Sequence, residues 1–398
     1  MNITIGNVVR NDDFFDREQL LDDLWAILET DSVLLAAPRR VGKTSIMHKL
    51  IDSPVPGYRV LFLDGQDYLN AEDLVTDLII KTGRLFGDAM PFIRRVLTSI
   101  EEKIDEVEVW QLKVKLRHEV VGRWREEGER AVREALRHEG RLLIILDELP
   151  VMLHKMVTQG GSDGKQSARD LLDWLRYLRL NPEFNLRLRQ IAGGSIGLPR
   201  IASMIDASHK INDLRQVEVG PLTPDAAAQL AEQLLWSRNV KIDAASMRAL
   251  LAKINPPLPI YVQIMSSILA TEVRKRGVTA TPDLVNECYE QRAMSPEFRL
   301  CFEDLFERLG RYYTPDEARG ARRIIRDLAL SDGPLSRSAL FMAFREEIGE
   351  HAQQSDFEML LNWLTNDFYI EEIEGGSKIA FRDTWLKDWW RRYHASRS

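Results

Sequence analysis

Residues 34–45, Leu-Leu-Ala-Ala-Pro-Arg-Arg-Val-Gly-Lys-Thr-Ser, constrain this chain more than any other stretch. They read as a strand end, a tight loop and a helix start carrying Gly42-Lys43-Thr44. A β,γ-phosphate pair needs inward-pointing backbone N–H groups, a mobile cation and a hydroxyl for its metal. Gly42 lets the backbone approach closely, Lys43 supplies the cation and Thr44 the Mg²⁺ hydroxyl. The expected nucleotide-binding set here is Pro38, Arg39, Arg40, Val41, Gly42, Lys43, Thr44 and Ser45. Ala37 stands where the first glycine of such a loop usually lies, and it fits there only with φ below zero.

A chain of 398 residues has room for two or three domains. A net charge of -7 argues against a surface coated in basic charge for nucleic acid. The two cysteines, Cys288 and Cys301, read as reduced thiols in a cytoplasmic protein. The start lacks a basic and apolar leader pattern, so no signal peptide is expected. No apolar run reaches the ~20 residues of a membrane span. The seven histidines show no metal-ligand spacing, so no zinc is expected.

Alternating short apolar runs and helical stretches over 33–220 imply a parallel sheet covered on both faces. The expected strands are 33–37, 58–64, 142–146, 186–192 and 216–220. An insert over about 71–140 holds a helix at 71–85, a small hairpin around Val107, Val109, Leu112, Val114 and Leu116, and a charged helix over 117–138. Beyond Pro221 the pattern is helical: 224–238, 243–254, 259–273 and 282–294. A last block carries helices at 298–310, 315–331, 336–348 and 355–366, then a hairpin with a Gly-Gly turn at 375–376. This is a winged-helix pattern. The expected domains are therefore 1–220, 221–294 and 295–398.

The partner of the phosphate loop is Leu142-Leu143-Ile144-Ile145-Leu146-Asp147-Glu148. A buried strand ending in two acids delivers Asp147 to the metal, opposite Thr44. Glu148, one residue on, is placed to polarise a water. The Asp-Glu pair favours an ATPase over a nucleoside kinase or GTPase. In many such ATPases a polar residue after the next strand senses the γ-phosphate, and Ser195 fits that role. Near the start, Phe15 and Arg17 fit an adenine edge. Equally, Asp16 would cap a helix with Phe14 and Phe15 in the core.

Taken in order, Phe15-Asp16-Arg17-Glu18, the loop 37–45, Leu146-Asp147-Glu148, Gly194-Ser195 and Pro259-Ile260-Tyr261-Val262-Gln263 resemble the AAA+-related P-loop ATPases of the STAND and "archaeal ATPase" type. The resemblance implies an ASCE three-layer core of sheet order 5-1-4-3-2, an α-helical lid and a winged helix. It implies ATP or ADP with Mg²⁺ as cofactors and Pro259 as a lid contact to nucleotide. The chain departs from the pattern at Asp16 and Ala37, where glycine is usual, and at Pro257, where the lid glycine would lie. Arg187, Arg189, Arg200 and Arg215 are arginine-finger candidates by position only.

The function expected is a slow regulatory ATPase in the cytoplasm. Lys43, Glu148 and Ser195 would be catalytic, and Thr44 and Asp147 would hold the metal. Its partners would be ATP and either a second protein or further copies of itself, with no membrane. The competing reading is a DNA-binding ATPase similar to origin-recognition or transposition helpers. A third is a module that binds nucleotide without hydrolysing it. The presumptive recognition helix, 355–367, carries no Lys or Arg and three acids, and the wing at 371–374 is acidic too. That surface disfavours DNA. The tail around Trp385, Trp389, Trp390, Arg391 and Arg392 reads as a helix docking its tryptophans in the core, or else as a stacking surface for bases.

Overall fold

The computed structural model describes residues 14–38, 40–86, 114, 116–194, 197–298 and 300–395. These fall into two compact units. One comprises Arg17–Ala37 and Lys43–Val219; the other comprises Gly220 onward, Pro38–Gly42 and the segment ending at Asp16.

In the first unit, β1 (Val33–Ala36), β2 (Tyr58–Asp64), β3 (Arg141–Asp147), β4 (Leu188–Gly193) and β5 (Arg215–Glu218) form one sheet. Every pairing is parallel, and the order is β2-β3-β4-β1-β5. This is the expected 5-1-4-3-2 order read from the other edge. β3 is buried along its whole length after Arg141, because a strand with helices on both faces has no wet side. β5, at an edge, keeps Arg215, Gln216 and Glu218 exposed, which blunts that edge against further pairing. The register aligns the strand ends: Asp64 faces Asp147, and Leu35 faces Gly193. The residues just beyond β1, β2, β3 and β4 therefore gather along one edge of the sheet.

The helix α1 (Glu18–Leu28) leads into β1, α2 (Lys43–Asp52) follows the phosphate-loop segment, and α3 (Ala71–Phe86) follows β2. The expected hairpin lies mostly outside the described residues, but Val114 and residues 116–120 are helical, so its C-terminal half is corrected. The expected single helix over 117–138 is broken by a turn at 121–123 and resumes as Trp124–Ala135. Val121, in that turn, is exposed. The buried residues of the resumed helix are Glu127, Gly128, Ala131, Val132 and Ala135, and the small ones let it pack close to α3.

The second unit starts with helices Pro224–Trp236, Ala244–Lys253, Pro259–Arg276 and Pro282–Cys288. Thr223, Asp243 and Thr281 cap three of them through side-chain oxygens, satisfying N–H groups the helices leave open. Helices Leu300–Tyr312, Pro315–Leu330, Arg337–Ile348 and Gln354–Asn366 follow. A small antiparallel sheet, β6 (Leu335–Ser336), β8 (Lys378–Phe381) and β7 (Ile370–Ile373), adjoins them, and Thr384–Tyr393 closes the unit. Hydrogen bonds cross residue 295: Tyr261 Oη donates to Asp383, Tyr289 Oη to Asp388 at 2.8 Å, and the Thr384 N–H to the Asn255 carbonyl at 2.8 Å. Trp385, Trp389 and Trp390 are fully buried, with Trp385 ringed by Tyr261, Tyr289 and Phe302. The tail does dock its tryptophans, but the expected winged-helix block supplies only part of their surroundings, since Tyr261 and Tyr289 of the 221–294 stretch pack on Trp385. Burial pushes the Asp383 carboxyl up to about 6, against the pull of the Tyr261 hydroxyl.

Candidate functional site

α2 starts immediately at Lys43, so its first turn projects Lys43 and Thr44 from the end of β1. β3 ends at Asp147, two strands away in the sheet. The structure brings these residues together. Lys43 Nζ lies 2.9 Å from Asp147 Oδ1 and 3.7 Å from Glu148 Oε1. Thr44 Oγ1 donates to Asp147 Oδ2 at 2.9 Å, and the Glu148 N–H donates to Asp147 Oδ1 at 3.0 Å. Lys43, Asp147 and Glu148 are all buried. Burying charge without full pairing is costly, so such a cluster is kept for what it does more often than for stability. Its hydroxyl and carboxylate oxygens are the hard donors that Mg²⁺ takes. The donor set therefore fits the Mg²⁺ expected from the sequence.

The backbone around the cluster is unusual. Arg40 and Gly42 take left-handed conformations, φ 68 and φ 96, so the segment coils tightly between β1 and α2. Ala37 keeps φ below zero, which is why the missing glycine is tolerated. Val41 is buried, and Ser45 is half-buried on the first turn of α2. Glu148 has φ 51 and ψ 29, a left-handed conformation that strains a non-glycine residue by about 1–2 kcal/mol. Strain of that kind persists where the surroundings over-determine it, and it concentrates at functional sites. Sequence reasoning could not see it.

Asp64, absent from the expected site residues, belongs to the same edge. Burial holds its carboxyl above the ordinary value, and the neighbouring charges of Asp147, Asp67 and Glu148 add to the rise. Its signal in the sequence was slight: one acid ending an apolar strand, as Asp147 does.

Other expectations fare differently. Arg39 and Ser195 lie outside the described residues. Asp16 is not a helix cap: α1 has Arg17 at its N-cap without a side-chain cap bond, and Asp16 sits one residue earlier at φ 48. Asp tolerates that conformation better than most residues, which accounts for its standing where glycine is usual. Phe14 and Phe15 are half-buried and do not enter the core. Arg17 is half-buried, and its backbone N–H donates to Glu18 Oε2 at 3.0 Å. Pro259 occupies the first turn of its helix, where a missing N–H costs nothing, and the Pro257 carbonyl accepts the Leu222 N–H at 3.1 Å.

Three arginine-finger candidates are structural. Arg187 donates to the carbonyls of Leu136, His138 and Gly140. Arg189 donates to those of Leu28, Glu29, Asn185 and Leu188. Arg215 pairs with Asp31 at 3.6 Å. All three sit at the starts of their strands, the edge of the sheet opposite Lys43. Arg200 is buried on the short helix Leu198–Met204. No group of His, Cys, Asp and Glu with metal-binding geometry occurs among the described residues, and no described helix is long and apolar enough to cross a membrane.

No protein-family profile and no curated protein sequence matches this chain. Solved structures do. The Walker-type ATPase PABY2304 of Pyrococcus abyssi superposes with a TM-score of 0.65 over 98% of this chain and 99% of that one, at 18% identity. The Orc2 protein of Aeropyrum pernix, solved as ADPNP and ADP complexes, superposes with a TM-score of 0.56 over 94% of this chain and 92% of that one, at 10% identity. At such identities the likeness is one of fold: the all-parallel sheet of order 2-3-4-1-5 is that of the P-loop ASCE core.

Proposed function

We propose that this chain is a Mg²⁺-dependent ATPase of the AAA+/STAND kind, a slow cytoplasmic switch acting on a protein partner or on its own assembly. The observation that carries the reading is the convergence of Lys43, Thr44 and the Glu148 N–H on Asp147, at the strand end where Glu148 is left-handed. Lys43 turns from Asp147 to the β,γ-phosphate oxygens. Thr44 and Asp147 would hold Mg²⁺ when it binds. Glu148 accepts a proton from the attacking water. Magnesium, when bound, neutralises charge on the phosphate oxygens. Ser195 takes the γ-phosphate-sensing role, Phe15 and Arg17 the adenine edge, and Pro259 the lid contact. Residues 38–45 cradle the phosphates.

On the same proposal, residues 1–220 are the core, 221–294 the lid and 295–398 a winged-helix domain. The helix Gln354–Asn366 exposes Ser355, Asp356, Met359, Asn362 and Asn366, and the wing exposes Glu371, Glu372 and Glu374. The cations beside this face are tied to its acids, Arg337 to Glu358 and Glu372 and Lys378 to Glu374, which favours a protein partner over DNA. In the tail, Arg391 donates to the Ala329 and Ser331 carbonyls and Arg392 to that of Glu290, so both contribute to packing.

The test of the switch is the mass of the intact assembly with ADP, with ATP and in the Glu148→Gln variant. ATP-dependent assembly, held longest by the variant, is expected. A monomer of constant mass in all three conditions, with no change in hydrogen exchange between ADP and ATP, contradicts it.

A further inference from the structure

β2 ends at Asp64, and the chain turns at once through the single 3-10 turn Gly65–Asp67. Because Asp64 and Asp147 are paired neighbours, this turn runs beside the first residues after β3. Gly65 is buried there. A Cβ built on it would lie 2.6 Å from the Glu148 carbonyl oxygen, 2.9 Å from its carbonyl carbon and 3.1 Å from the Asp147 carbonyl oxygen. Those are backbone atoms at a strand end and cannot swing aside, so only glycine permits the approach. The peptide it touches is the strained one, with Glu148 at φ 51. Two further bonds fix the turn. The Gln66 N–H donates to Asp64 Oδ1 at 2.9 Å, and Lys155 Nζ, on the helix Leu149–Gln159 that follows Glu148, donates to the Gln66 carbonyl at 2.6 Å.

We infer that the Gly65–Asp67 turn is a positioning element for Glu148. Gly65 lets the turn press on the Glu148 peptide and keep it left-handed. That conformation sets the carboxylate near Lys43, at 3.7 Å, where an extended residue would carry it onward along β3. Gly65 acts through Glu148 and touches no nucleotide. The inference rests on the role proposed for Glu148, but its first readout does not. The Val151 and Met152 N–H groups both bond to the Glu148 carbonyl, at 3.0 and 3.2 Å, so displacing that peptide loosens both.

The experiment compares the full-length parent, Gly65→Ala, Lys155→Met, Glu148→Gln and Gly65→Ala/Glu148→Gln. In Gly65→Ala, amide exchange at Val151 and Met152 should quicken at least ~10-fold with Leu143–Leu146 unchanged. ATP affinity should stay within about threefold while single-turnover hydrolysis falls at least ~10-fold, a split that general loss of structure does not produce. Added to Glu148→Gln, Gly65→Ala should cost nothing further in hydrolysis. Lys155→Met should shift exchange and turnover in the same sense by roughly two- to fourfold, and it decides the matter should Gly65→Ala not fold. Unchanged exchange at Val151 and Met152, or an equal loss of turnover with and without the Glu148 carboxylate, overturns the inference. If Glu148→Gln hydrolyses ATP at the parental rate, the role given to Glu148 fails instead, and the exchange result still judges the turn.

Discussion

The two edges of the five-stranded sheet both carry buried charge but satisfy it in opposite ways. At the edge where strands begin, Arg187 and Arg189 spend their guanidinium groups on main-chain carbonyls, and Arg179 binds Asp213, Gln190 and the Lys210 carbonyl. Each cation there meets fixed acceptors and ties a loop or helix end to the sheet. At the edge where strands end, Lys43 pairs with the Asp147 and Glu148 side chains, and Glu148 is strained. Charge fixed on main-chain acceptors is scaffold; charge paired side chain to side chain on a strained backbone marks a site.

Breaking the scaffold edge should have the largest effect on stability. Arg189→Ala removes a buried guanidinium that donates to the carbonyls of Leu28, Glu29, Asn185 and Leu188, and should destabilise the protein by about 3 kcal/mol, read from denaturant midpoints. The folded fraction should bind ATP at parental affinity. Lys43→Ala should invert that pattern: ATP binding weakened at least ~100-fold by calorimetry, or about 2.7 kcal/mol, with a smaller change in midpoint. Were the two variants to behave alike, the distinction between the edges would collapse.

A buried carboxyl in the second unit sharpens the contrast through pH. Asp383 titrates at about 6 in the folded protein, against ~3.9 in an unfolded chain. Below both values each state holds the proton. Between them only the folded state does, so the stability contribution of Asp383 falls as pH rises from about 4 to 6 and then levels off. The full swing is about 3 kcal/mol at most, and about 1–2 kcal/mol of it should show between pH 5 and 7. Asp383→Asn keeps an N-cap for the Leu386 N–H and should remove this dependence from urea titrations across that range. A slope unaltered by the substitution would assign the titration elsewhere. Smallest of all, Thr44→Val should cost about 1 kcal/mol of stability through its lost bond to Asp147, while the Mg²⁺ concentration needed for half-maximal ATP binding rises roughly tenfold.

Much of this architecture could be read from the chain. β2 and β3 are long apolar runs with sharp polar ends, so strand and boundary were legible together. Lys43, Thr44, Asp147 and Glu148 come together because the helix after β1 starts, and β3 ends, at the same edge of the sheet. The failures have physical causes. Alternation through Val114 and Leu116 suggested a strand, yet both residues are helical, since so short a pattern does not fix a period. β6 has two residues and no pattern at all. Arg187, Arg189 and Arg215 were picked out by charge, but a side chain's partner is a property of the tertiary fold. The left-handed Glu148 and the pressure of Gly65 on it arise where two distant segments meet, and neither leaves a mark on its local sequence.

The central claim is that the edge holding Lys43, Asp147 and Glu148 hydrolyses ATP. Single-turnover hydrolysis of radiolabelled ATP, with protein in excess and Mg²⁺ present, tests it most directly in the parent and in Glu148→Gln. The account predicts phosphate release by the parent and, in the variant, ATP bound as tightly but turned over at least ~100-fold more slowly. Equal rates in the two proteins, or no release by a parent that binds ATP, would contradict it.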